Sequence, residues 1–182
     1  MRPVDKWPVG FSAVVDGESV VVDAKYDPYA KAKPILVENL DRFCSYCEVA
    51  IHEDAAIHVE HVLPKKNGNY SYLETYWSNF LQACSTCNGT ANKGDKVHLP
   101  GCHFPHKNNT YKSFVYKQGG VVEVNPALSG CARTNAEHLI VLVRLDKTPK
   151  TSTKGDKRWR QRSDAWDLAQ KYLVKFNNGS ID

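Results

Sequence analysis

Residues 44–48 read CSYCE, residues 58–66 read HVEHVLPKK, and residues 79–96 read NFLQACSTCNGTANKGDK. The doubled Cys-x2-Cys spacing, Cys44 with Cys47 and Cys84 with Cys87, sets the frame. Each pair brings two thiolates to one tight turn, and four thiolates close a tetrahedral Zn2+ site with no position left open. A closed site is structural rather than catalytic. The insert of residues 48–83 is longer than in the shortest zinc ribbons, so something is built between the knuckles and the metal staples its ends. Disulfides and free buried thiols are the alternative readings of the same cysteines. In a cytoplasmic chain the doubled spacing favours zinc.

Inside the insert, residues 55–62 alternate in strand fashion and Pro64 ends the run. Residues 66–69, KNGN, make a turn. Residues 71–77 read as a short helix and Phe80 to Ala83 as a second strand. A short helix opens at Ser85 on cap-like polar chemistry. Glu60 and His61 therefore end a strand, Asn79 lies just before the second strand, and Asn88 directly follows Cys87. A carboxylate suits a hard divalent cation, and an imidazole can take a proton from an attacking water. Neighbours on a regular strand face opposite ways, so both reach one phosphate only where the strand ends or twists.

Working outward, Asp16-Gly17 between valine runs signals a hairpin. Residues 27–41 read as a helix that Pro34 kinks or starts late. Residues 97–131 are rich in Gly and Pro, with one hairpin at Phe114 to Tyr116 and Val121 to Val124. Residues 139–145, LIVLVRL, are a buried strand or a short helix. Residues 147–162 are strongly basic, Thr148 to Thr153 is the best exposed linker, and residues 156–176 form an amphipathic helix carrying Trp159, Trp166, Ala169, Leu173 and Phe176. Cys102, His103 and His106 raise a second metal site, but four convergent ligands are not visible.

The whole chain has 182 residues, which suits a single domain that can bury a core without staples. Hydrophobic residues at 42% and charged residues at 24% exclude a wholly disordered or fibrous chain. No apolar run approaches the ~20 residues of a membrane helix, and residues 1–10 lack the apolar region of a signal peptide. The expected compartment is the cytoplasm. A formal net charge of +4 permits a nucleic-acid partner without demanding one.

The combined pattern resembles an HNH endonuclease with zinc-knuckle cysteines, closely over residues 44–95. The sub-pattern YCE…VEHxxPK…CxxCN…KGD is similar to the PtuB-like HNH nucleases of Septu and retron-linked antiphage systems, which work beside a PtuA-like ATPase. The resemblance implies an α+β fold. Its centre is a ββα-metal core stapled by a four-cysteine structural zinc site, with an N-terminal hairpin and helix (residues 1–43) and a C-terminal extension (96–182) ending in a helix. It implies His61 as general base, Asn79 as the residue that holds the His61 loop or imidazole, and Glu60 and Asn88 as ligands of a catalytic Mg2+ or Mn2+. Asn88 stands where many members carry a histidine, giving an H-N-N pattern. Lys65, Lys66 and Lys93, with Arg158, Arg160 and Arg162 of the basic segment, are the expected nucleic-acid contacts. DNA is the expected substrate. The alternatives are an RNA target such as tRNA, a restriction or mobile-element nuclease, or a zinc-stabilised nucleic-acid-binding module without catalysis.

Overall fold

The computed structural model describes residues 1–97, 101–148, 150–151 and 156–180. It is an α+β arrangement in which three separate antiparallel hairpins are joined by helices. The first hairpin pairs β1 (Ser12–Val15) with β2 (Glu18–Val21). Its turn is Asp16-Gly17, both at positive φ (53° and 84°), which is what a two-residue primed turn demands and an Asp-Gly pair supplies. The helix expected over 27–41 starts late. A 3-10 turn covers Tyr29–Ala32, and α1 (Lys33–Leu40) follows with Pro34 in its first turn, where a missing N–H costs nothing.

The centre is β3 (Ile57–His61), β4 (Phe80–Cys84) and α2 (Ser85–Asn88). The two strands are antiparallel in a register that sets Ile57 opposite Cys84 and His61 opposite Phe80. Every residue of β4 is buried, because α1 and α2 both pack against this hairpin. The helix expected at 71–77 resolves into two 3-10 turns, Ser71–Leu73 and Trp77–Asn79. A third hairpin joins β5 (Phe114–Lys117) to β6 (Val121–Val124).

The run at 139–145 is the end of a longer helix, α3 (Gly130–Val143). Ala136, Leu139, Ile140 and Val143 fall on one buried stripe, at the spacing of a helix rather than a strand. The last helix is α4 (Arg158–Asn177). Its first turns rest on the 118–120 turn so closely that a Cβ at Gly120 would lie 1.9 Å from the Trp159 carbonyl oxygen, and Gly120 is at φ 72°. Only glycine fits there. The apolar face expected along α4 is packed only near its start. Trp159 and Trp166 are half-buried, whereas Leu173 and Phe176 are exposed. Of the expected 148–153 linker, Lys150 and Thr151 are exposed, and Pro149 and residues 152–153 lie outside the described residues. Among the described residues no helix is long and apolar enough to cross a membrane.

Candidate active site and metal centre

The first knuckle is a tight loop closed by an isolated bridge between Phe43 and Ala50. Glu48, at φ 60°, turns the chain, and its N–H bonds the Cys44 carbonyl at 2.9 Å. Gln82 of β4 fastens this loop to the central hairpin, donating from Nε2 to the Asp41 and Phe43 carbonyls at 2.6 and 3.1 Å. The second knuckle is α2 with the residue that caps it, Cys84, which accepts the Cys87 N–H on its sulfur.

The two knuckles meet. The Sγ atoms of Cys44, Cys47, Cys84 and Cys87 all lie within 4.8 Å of one another, and all four residues are buried and free of disulfides. Cys47 and Cys84 are 3.8 Å apart. Four Zn–S bonds of about 2.3 Å span a tetrahedron with edges of about 3.8 Å, the spacing that Cys47 and Cys84 show. Hydrogen bonds from Cys44, Cys47 and Cys87 drive the Cys84 thiol far below its usual range. The bonds that Cys47 makes with Cys44 and Cys84, those that Cys87 makes with the other three, and the burial of both push those two thiols up. Crowded sulfur of this kind suits a cation at its centre. Among the described residues no other group of three or more such ligands converges. His103 is engaged elsewhere, its Nδ1 lying 2.9 Å from Ser113 Oγ, so Cys102, His103 and His106 form no second cluster.

His61 ends β3. Its Nε2 lies 2.8 Å from the Glu74 carbonyl oxygen. A carbonyl only accepts, so this nitrogen carries the proton and Nδ1 keeps its lone pair. The ring is held edge-on between Tyr29 and Phe80, at centroid distances of 4.8 and 5.2 Å. Burial lowers the His61 pKa below the usual imidazole value, with the Glu74 carbonyl opposing and the Lys65 charge assisting, so the neutral ring is favoured. Asn79 fixes the loop after His61 rather than the ring. Its Oδ1 accepts the Leu63 N–H at 2.8 Å, and its Nδ2 donates to the carbonyls of Leu63 and Leu73 at 2.9 and 3.3 Å.

Glu60 points the other way, as strand alternation requires. Its Oε1 lies 2.5 Å from Lys93 Nζ and 3.5 Å from the Tyr46 hydroxyl. Lys93 also donates to the His61 carbonyl at 2.7 Å, and its own N–H bonds the Cys87 carbonyl. Burial raises the Glu60 pKa to about 7, with the Lys93 ammonium opposing. A carboxylate and an amide such as that of the half-buried Asn88 are donors that suit a hard cation. Lys93 already engages Oε1, and the Glu60 side chain is almost wholly buried.

Three expected nucleic-acid contacts are placed elsewhere. Lys93 is fully buried against Glu60 and cannot reach a phosphate. Arg158 is buried between Asp156, Cys87 and the end of α3. Arg162 is turned to the Gly120, Leu145 and Lys147 carbonyls. Lys65 stands beside His61, paired with Glu74 at 2.8 Å and 3.9 Å from the centre of the Tyr29 ring. Lys66, 3.8 Å from Asp95, and Arg160 are exposed. Sequence reasoning missed Tyr29 and Glu74. Tyr29 looks like an ordinary helix residue, and Glu74 acts on His61 through its backbone, which no residue type announces.

A strand ending in Glu-His, its antiparallel partner and a cysteine-anchored helix are together a ββα unit. Residues 44–94 match the HNH endonuclease family model. No curated protein matches the chain. The HNH match spans both knuckles, His61, Asn79 and Lys93, and stops short of α3 and α4. A cleft of 720 Å³ between α4 and the first knuckle, lined by Phe43, Glu48, Tyr116 and Trp166 among others, is separate from Glu60, His61, Asn79 and Asn88, none of which lines it.

Proposed function

We propose that the protein is a metal-dependent HNH endonuclease that hydrolyses phosphodiester bonds of DNA. The observation that carries this reading is the Nε2 contact of His61 with the Glu74 carbonyl, which leaves Nδ1 as a lone-pair base on a strand end. In this reading Nδ1 takes a proton from a water. The resulting hydroxide attacks phosphorus in line, and the bond to the 3′ oxygen breaks, leaving a 5′-phosphate and a 3′-hydroxyl. Tyr29 and Phe80 hold the ring on its line of approach, and Asn79 holds the loop that follows it. By the resemblance, Glu60 and Asn88 would hold Mg2+ or Mn2+, which when bound supplies charge neutralisation at the phosphate and the departing oxygen. Cys44, Cys47, Cys84 and Cys87 would hold structural Zn2+. Of the expected nucleic-acid contacts, Lys65, Lys66 and Arg160 would meet the phosphate backbone.

The finer setting rests on the YCE…VEHxxPK…CxxCN…KGD resemblance alone: a cytoplasmic effector of an antiphage complex, acting with a PtuA-like ATPase subunit. The test is cleavage of end-labelled DNA and RNA by purified protein with Mg2+ or Mn2+, with and without that subunit. DNA cut to 5′-phosphate ends supports the reading, RNA cut in its place moves the substrate to RNA, and activity only with the subunit supports the complex.

A second reading is favoured by one observation. Glu60 is already neutralised by Lys93, which suits a zinc-stabilised nucleic-acid-binding module that performs no chemistry. Binding without cleavage under all these conditions would select it.

A further inference from the structure

Arg158 opens α4, 71 residues from Cys87 in sequence, yet its Nη1 lies 3.1 Å from the Cys87 sulfur. The same nitrogen donates to the Val143 carbonyl at 2.8 Å, and Nη2 donates to the Arg144 carbonyl at 3.0 Å. Nε and Nη2 complete a two-point pair with Asp156 at 2.9 and 2.7 Å. An arginine has five N–H groups, and all five are engaged here. The residue is 4% exposed, so its charge has left water for this arrangement.

We propose that Arg158 is an outer-sphere partner of the zinc cluster, and that zinc occupancy and the docking of α4 form one coupled equilibrium. The proposal rests on the four-cysteine site holding zinc. Zinc with four thiolates carries two net negative charges inside the protein, and a fixed N–H donor on one sulfur stabilises the thiolate form. A neutral thiol accepts that bond weakly. The metal therefore strengthens the contact that anchors α4 to α3 and the second knuckle, and the anchored helix strengthens metal binding by the same factor. Asp156 holds the guanidinium plane in place, which makes Arg158 a preset donor rather than a mobile surface charge.

The experiment uses the full chain loaded with Zn2+ or Co2+, as wild type, Arg158→Met and Arg158→Lys. Zinc affinity is read by competition with a chromogenic chelator. Outer-sphere losses typically cost about 10- to 100-fold in metal affinity, and Arg158→Met is expected in that range with Arg158→Lys between it and wild type. The cobalt form adds a readout that a purely structural role would not move. Without its N–H donor the Cys87 thiolate is richer in electrons, so the sulfur-to-cobalt charge-transfer band of Arg158→Met shifts to lower energy. An affinity within twofold of wild type and an unmoved band would overturn the proposal. Should Arg158→Met fail to fold, Asp156→Asn, which loosens the guanidinium but keeps it, decides between the same two outcomes. A wild-type protein that binds neither ion would remove the zinc reading itself, a result distinct from the loss of Arg158's part.

Discussion

The ammonium of Lys93 bridges the two residues that close β3: it lies 2.5 Å from Glu60 Oε1 and 2.7 Å from the His61 carbonyl oxygen, with both ionic side chains almost wholly buried. Removing one partner of such a pair leaves a charge in a low-dielectric interior, which costs about 3–5 kcal/mol. Lys93→Met is expected to destabilise the protein by that amount in urea unfolding. Its effect on the salt dependence of nucleic-acid binding is expected to be nil, because a residue that meets no phosphate releases no counterion. Lys66→Met should do the reverse, leaving stability within about 0.5 kcal/mol and making the salt slope shallower by about one unit.

Asn79 uses both ends of its amide on the loop after His61. Asn79→Asp keeps the acceptor and loses the donor, setting a carboxylate against the Leu63 and Leu73 carbonyls. The expected cost is about 1–3 kcal/mol of stability, with turnover reduced and zinc content unchanged. Unfolding curves, metal analysis and a cleavage assay on one preparation check all three.

His106 contributes a pH dependence of its own. Both its ring nitrogens are buried without a hydrogen-bond partner among the described residues, and burial, with the charges of Lys6 and Lys107, lowers its pKa from 6.5 to about 3. The unfolded chain takes up this proton below about pH 6.5, whereas the folded protein refuses it until about pH 3. Its contribution to stability is therefore full above pH 6.5 and drains away as the pH falls towards 3, at up to about 1.4 kcal/mol per pH unit. His106→Phe is expected to flatten that part of the curve, read as the difference in unfolding free energy between pH 7 and pH 4.

The cysteines separate cleanly by position. Cys87→Ser is expected to lose zinc and cooperative folding together, since structural zinc contributes folding energy directly. Cys131, exposed on α3, is outside the cluster, and Cys131→Ser should match wild type in metal content and thermal unfolding.

What the sequence made legible was local. The knuckles follow from the spacing of Cys44, Cys47, Cys84 and Cys87, the central hairpin from alternation around Val59 and the apolar stretch from Phe80, and the first turn from Asp16-Gly17. What it hid was long-range. The start of α3 is masked because residues 130–138 carry few apolar side chains, leaving only LIVLV to read. Lys93 looks like a phosphate contact beside Gly94, since its burial depends on Glu60 and on the His61 carbonyl 32 residues upstream. Arg158 sits in a basic run whose local character is that of a solvated surface, and only α3 and the second knuckle turn it inward. The Glu74 carbonyl that sets the His61 tautomer has no residue-level signature at all.

Conversion of supercoiled plasmid by purified protein with Mg2+ or Mn2+, run beside His61→Ala at matched zinc content and thermal stability, tests His61 as the base. A positioned general base is worth about 100- to 10,000-fold, so nicking or linearisation by wild type should fall by that factor in the variant. Equal conversion by the two proteins would overturn this reading, because the cleavage would then not depend on His61 Nδ1.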